Sequence, residues 1–160
     1  MESGIQPWLF HVEPYEGESL SHFLGRVRIK NHLSPSGLGK LAGIGAVIAR
    51  WERFHFNPYP TKIQIEALSH LLGVDLKRLR KMLPAQGEAM KCEPIRLCGA
   101  CYAEAPCHRI EWQYQSRWRC EHHNSKLLTK CPNCSKKFLI PALWERGCCN
   151  RCGLRFLEMI

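Results

Sequence analysis

The chain has 160 residues, ten cysteines and a formal charge of +9, a length that fits one or two domains. No run of about 18 apolar residues exists, which excludes a membrane-spanning helix. The first twenty residues lack a charged region followed by a long apolar run, so no leader is expected. The chain is therefore read as intracellular, where thiols stay reduced and disulfides are disfavoured.

The first ninety residues are free of cysteine and helical in pattern. Leu20, Phe23, Leu24, Val27 and Ile29 recur at near-helical spacing, which predicts a helix from Glu18-Ser19 to about Asn31. Ser34-Pro35-Ser36-Gly37 reads as a break. The run LGKLAGIGAVIARWERF follows as helix, with Gly43, Gly45, Ala42, Ala46 and Ala49 allowing close helix contacts, and NPYP stops it. Thr61 is placed to cap a helix over Lys62 to Leu72 with Ile63, Ala67, Leu68, Leu71 and Leu72 inward. Gly73 makes a turn and Asp75 caps a second helix that Pro84 ends, with Leu76, Leu79, Met82 and Leu83 on its apolar face. Residues 61–83 thus have the pattern of a helix-turn-helix. Lys77, Arg78, Arg80 and Lys81 lie on its outer face. Without Asn or Gln to read bases, they suit phosphate or protein contact, or serve only as a solvated face. The histidines at 11, 22, 32, 55 and 70 are scattered and read as ordinary.

All ten cysteines lie in the last seventy residues, a length that rarely folds on apolar burial alone. Cys98-x2-Cys101 is followed after eighteen residues by Cys120-x2-His123. Cys131-x2-Cys134 is followed after fourteen by Cys149-x2-Cys152. Each half matches the spacing of a structural zinc site: two tight turns direct four ligands at one ion and leave no open position. The expected cofactors are two Zn²⁺. Pairing of the first turn with the second is the simpler arrangement, and a cross-brace stays open. Cys92 and Cys107 are read as small buried hydrophobes. Cys148 is a poorer ligand than Cys149, and Cys107-His108 is an alternative pair. His122 adjoins His123, and the x2 spacing favours His123. Ile110, Trp112 and Tyr114 alternate as in a strand, and NSKLLTK after His123 reads as a short helix. Trp112 and Trp118 are candidates for stacking on bases or for packing the module, with packing favoured.

The fold class is therefore α plus a small zinc-bound α/β part. A helical domain over 1–90 carries the helix-turn-helix. Two tandem zinc-finger or zinc-ribbon modules follow, over 91–130 and 131–160. Residues 117–155 hold nine Lys/Arg against two acids, a balance that suits nucleic acid or an acidic partner. Arg117, Arg119, Lys126, Lys130, Lys136 and Lys137 are the candidates there. Seven bound thiolates against two divalent ions would subtract three charges and leave a weaker basic surface.

Enzyme chemistry finds no foothold. His108-Arg-Ile-Glu111 is one residue too long for a zinc deaminase pair, and no P-C-x-x-C exists. No histidine follows position 123 to complete an HNH nuclease site. A G-x4-G-K-[ST] loop is absent.

Several segments together resemble the TniQ family of transposition target-selection proteins: PYEGESLSHFLGR over 14–26 with Asn31, RLCGACYAE over 96–104, PCHRIEW over 106–112, Cys120-Glu-His-His123 with Leu127, and Cys131-Pro-Asn-Cys134. Gly99 and Glu121 stand where that family usually has Pro, and Asn124 where it has Gly. The resemblance spans 14 to 153 and is nearest the short members of cyanobacterial, type V-K RNA-guided transposons. It implies a bacterial cytoplasmic adaptor without catalysis or a small-molecule substrate. Its partners would be the AAA+ regulator TnsC, an RNA-guided Cas effector with guide and tracr RNA, and the phosphate backbone of target DNA. The alternative reading is a sequence-specific DNA-binding regulator that uses Lys77–Lys81 for recognition.

Overall fold

The computed structural model describes residues 9–85 and 87–160, so the first eight positions of the no-leader expectation lie outside the described residues. Helix α1 (Leu20–Asn31) starts where Ser19 accepts a hydrogen bond from the backbone N–H of His22, and it closes on His32 in the left-handed region (φ 53°). Its apolar face (Leu20, Phe23, Leu24 and Val27) is fully buried. The break after Asn31 is present, and Ser34 and Pro35 also open α2 (Pro35–Ala42): Ser34 caps the N–H of Gly37 and Pro35 sits in the first turn, where its missing N–H costs nothing.

The run 38–54 is not one helix. Gly43 and Gly45 both take positive φ (70° and 73°), ending α2 and delaying α3 to Val47–Glu52. The glycines serve a backbone approach instead. A Cβ on Gly39 would collide with the Gly45 carbonyl, so the chain folds back on itself at the place where two side chains are missing.

Helix α4 (Lys62–Leu72) has the expected start and end. Thr61 and Gln64 form a reciprocal capping box, and Gly73 closes it at φ 65°. Its inward row is Ile65, Leu68 and Leu71; Ile63, expected inside, is 78% exposed. The cap sets the rotation, and Ile63 falls behind it. Asp75 caps α5 (Leu76–Lys81), which is shorter than expected because Met82 and Leu83 leave the helix for the core and the Met82 carbonyl receives the N–H of Leu20 (3.1 Å).

Among its described residues the C-terminal half contains one short helix, α6 (Gly99–Glu104), and three 3₁₀ turns. Residues 110–114 do not form the expected strand: Ile110–Gln113 is a 3₁₀ turn. The turn rotates Gln113 inward, where its amide donates to the carbonyls of Lys91 (2.9 Å) and Pro94 (3.1 Å) while its oxygen accepts from Arg96 N (2.9 Å). NSKLLTK is not helical either. Leu128 exchanges both backbone hydrogen bonds with Leu97 (2.9 and 2.8 Å), and Lys126 lies opposite Arg119. The expected α/β character thus reduces to isolated antiparallel bridges among the described residues.

Two apolar clusters fill the protein. One gathers α1 through α5. The other joins Leu97, Tyr102, Trp112, Leu127, Phe138, Trp144 and Phe156 to the cysteines, and it takes in Phe54 from the N-terminal half. Polar contacts weld the two together. Ser19 N donates to the His108 carbonyl (2.8 Å), and Ser21 Oγ donates to the Glu52 carbonyl (2.6 Å) while accepting from Ala142 N (3.2 Å). The Trp144 ring meets both His22 and His108 edge-on. Among the described residues no helix is long and apolar enough to cross a membrane.

Candidate metal centres

Three of the four Cys/His pairs are built alike. In each, the backbone N–H of the first ligand bonds a carbonyl five residues on: Cys120 to Ser125, Cys131 to Lys136 and Cys149 to Leu154, all at 2.8 Å. The residue after the second ligand takes a left-handed φ: Asn124 (49°), Ser135 (65°) and Gly153 (79°). An antiparallel bridge closes each loop, at Arg119–Lys126, Lys130–Lys137 and Cys148–Arg155. Asn124 fills this position because Asn is among the few residues that enter that region readily. The fourth pair differs, since Cys98 is the N-cap of α6 and Cys101 lies in its first turn.

These turns bring together Cys98, Cys101, Cys120 and His123 in one group, and Cys131, Cys134, Cys149 and Cys152 in the other, with the ligand atoms of each within 4.8 Å of one another. The pairing is sequential. Cys101 Sγ lies 3.4 Å from Cys120 Sγ and 3.3 Å from His123 Nδ1; Cys131–Cys152 and Cys134–Cys149 are separated by 3.6 and 3.5 Å. A tetrahedral zinc with Zn–S ~2.3 Å and Zn–N ~2.0–2.1 Å has edges of about 3.8 Å between sulfurs and about 3.6 Å from sulfur to nitrogen. The spacings match those edges to within a few tenths of an ångström and far exceed a sulfur–sulfur bond of about 2.05 Å. All ten cysteines are unbridged. Each group could therefore hold one metal ion, and its donor set is consistent with zinc.

The surroundings suit thiolate ligands. Hydrogen bonds from the Asn133 side chain and the Leu154 N–H hold the Cys152 thiol down at about 6. The N–H of Arg151 donates to Cys149 Sγ at 3.4 Å. Burial pushes the Cys98 and Cys101 thiols up, and a bound cation would draw them down again. The Nε2 of His123 lies 2.7 Å from Glu104 Oε1, a carboxylate contact that fixes the ring and leaves Nδ1 for the metal.

The remaining candidates lie elsewhere. His122 points to Glu111 (3.2 Å) and away from the sulfurs. Cys107 is buried, its thiol pushed up to about 12 by that burial, and His108 is committed to Ser19 and Gln113, so the alternative Cys107-His108 pair holds nothing. Cys92 donates to the Phe54 carbonyl (3.4 Å), and Cys148 sits outside the second group. Lys77, Arg78, Arg80 and Lys81 are all exposed, but Arg78 is drawn onto the Glu13 carboxylate and the Pro14 carbonyl. Arg117 pairs with Glu121 (2.5 Å). Arg119 donates to the Asn124 carbonyl (2.7 Å) and lies over the exposed Trp118 ring, while Trp112 is buried. Lys126, Lys130, Lys136 and Lys137 are exposed.

A buried polar network was not anticipated. Glu18 is fully buried. His22 contacts its carboxylate, and Arg26 grips both its oxygens (2.8 and 2.6 Å). Burial alone would raise the Glu18 carboxyl, but the bonds from His22 and Arg26 outweigh it and hold it below the usual glutamate value. Behind them, Ser19 and Gln113 bracket His108, which burial drives down to about 3 and so keeps neutral. The four-residue spacing of Glu18, His22 and Arg26 is the signal that could have found it, with Glu18 just ahead of the Ser19 cap and the other two on α1. The role of Gln113 carried no local signal.

A helical body joined by polar and aromatic contacts to a terminal region that holds two four-ligand groups defines a scaffold class, in which the candidate metal sites shape a surface. The TniQ family model matches residues 9–127, and the chain belongs to that family. The match covers α1 through α5 and the first ligand group and ends before Cys131. The chain is thereby associated with target selection in transposition, in a family of adaptors that are generally not catalysts. No curated protein matches the chain.

Proposed function

We propose that this protein is a non-catalytic adaptor of an RNA-guided transposon. It joins a Cas effector bound to guide and tracr RNA on target DNA to the AAA+ regulator TnsC. Two Zn²⁺ hold its C-terminal half rigid, and α4 with α5 acts as a helix-turn-helix that contacts protein or phosphate. Family membership over residues 9–127 carries the reading. Closed tetrahedral ligand groups support it, because four protein donors leave no position for a substrate. Reading of DNA sequence by α5 is disfavoured: the helix has six residues, and Arg78 is spent on Glu13 and Pro14. The test is affinity capture with the purified regulator, with and without DNA and nucleotide. Retention of the adaptor in at least one condition is expected; absence of association in every condition overturns the proposal.

A further inference from the structure

Two of the three bridges that close the ligand loops pair cations with cations. Arg119 stands directly opposite Lys126, and Lys130 directly opposite Lys137. Residues opposite one another in an antiparallel bridge project to the same side with Cβ atoms about 5 Å apart, and like charges so placed destabilise the pair. None of these four side chains has a carboxylate partner among the described residues, and all are exposed. The nearby Glu121 is taken by Arg117. Like charges repeated at the same place in successive loops concentrate positive charge that an anion laid across both loops would relieve. The metal centres would supply a little, because a Cys₃His group around Zn²⁺ keeps one negative charge and a Cys₄ group keeps two.

We infer that the paired cations Arg119/Lys126 and Lys130/Lys137 are a phosphate-binding surface for a nucleic acid backbone. This assignment rests on the adaptor reading and narrows it, moving backbone contact from α5 to the ligand loops. A protein partner fits less well. Three of the four residues are lysines, which are depleted in protein interfaces but bind phosphates well as point charges. Each loop is closed by a backbone hydrogen bond and an antiparallel bridge, which fixes where the pair is presented.

The experiment uses the full zinc-loaded chain and measures anisotropy of labelled duplex DNA and of labelled single-stranded RNA between about 50 and about 200 mM salt. Replacing all four residues by Gln should flatten the dependence of log affinity on log salt by about 3.6 for the duplex or about 2.8 for the single strand, since each lost phosphate contact removes about 0.9 or about 0.7. The arm with the larger effect identifies the source of the phosphates. Replacing Lys77, Arg80 and Lys81 by Gln should leave the slope within one of the unaltered value. If the fourfold variant loses zinc, the two pairs are replaced separately, and each should remove about half. An unchanged slope in the metal-loaded variants overturns the inference, as does a slope carried by α5 or binding of neither nucleic acid. Capture by the regulator is a separate readout, so failure here leaves the adaptor reading standing, and the converse.

Discussion

Single residues after the second ligand of each loop decide how tightly the loop closes. Asn124, Ser135 and Gly153 share a left-handed backbone that most residues enter at a cost. Ser135 is the least suited of the three, and no glycine or amide eases it. Ser135→Gly should therefore stabilise the zinc-loaded protein by up to ~1 kcal/mol, and Ser135→Val should destabilise it by about 1–2 kcal/mol. Urea unfolding of the metal-loaded forms measures both, and equal midpoints for the two variants would show that φ at this position is not what limits the loop. The ligand residues themselves were readable because a metal imposes fixed spacing on a short turn. The choice of His123 over His122 followed from the same rule, and the structure adds its cause: Glu104 fixes the ring from behind. His108 and Gln113 were unreadable because their partners are Ser19, Lys91, Pro94 and Arg96, all distant in sequence or on separate turns.

At the level of elements, the joint between α1 and the segment Pro141–Leu143 rests on a missing side chain. A methyl at Gly25 would run into the Ala142 carbonyl. Helix propensity alone would make Gly25→Ala stabilising by about 0.8–1 kcal/mol, whereas the collision should cost about 1–3 kcal/mol. The sign of the change in thermal unfolding decides which governs, and a stabilised variant would mean that the two elements separate easily. Three element starts were legible from their caps. Ser19, Thr61 and Asp75 start helices α1, α4 and α5 as read, because a side-chain oxygen on a free N–H is a local event. Interiors failed where the deciding contact was remote. The Gly-Ile-Gly break depends on the approach of residue 39 to residue 45, and the alternation of Ile110, Trp112 and Tyr114 mimicked a strand while Gln113 was being turned inward. Ser34-Pro35 was read only as the break after Asn31, which it is, and its second role was missed: Pro at a first helical turn starts a helix as readily as it ends one.

Across the whole molecule, Cys98, Cys101, Cys120, Cys131 and Cys149 belong to the same apolar cluster as Trp112, Trp144 and Phe156, and that cluster is tied to α1 through Ser19, Ser21 and Gly25. Removing the metal should therefore do more than melt the terminal loops. Chelation is expected to release two zinc ions per chain by elemental analysis, and to abolish the near-ultraviolet tryptophan signal and part of the helical signal in one cooperative step. Each ion in comparable small peptides is worth about 10–16 kcal/mol of binding, more than the usual stability of a domain. Retention of the full helical signal after chelation would show that the N-terminal half stands alone. The placement of Ala142 and Trp144 against α1 has a consequence for biosynthesis. A ribosome delivers residues 20–31 before residues 138–156, yet the Ser21, His22 and Gly25 side of the early helix meets its cover only in the later segment. The nascent chain must carry that side of the helix uncovered until the later segment emerges, and the order of emergence, rather than any local preference, sets when the joint can form.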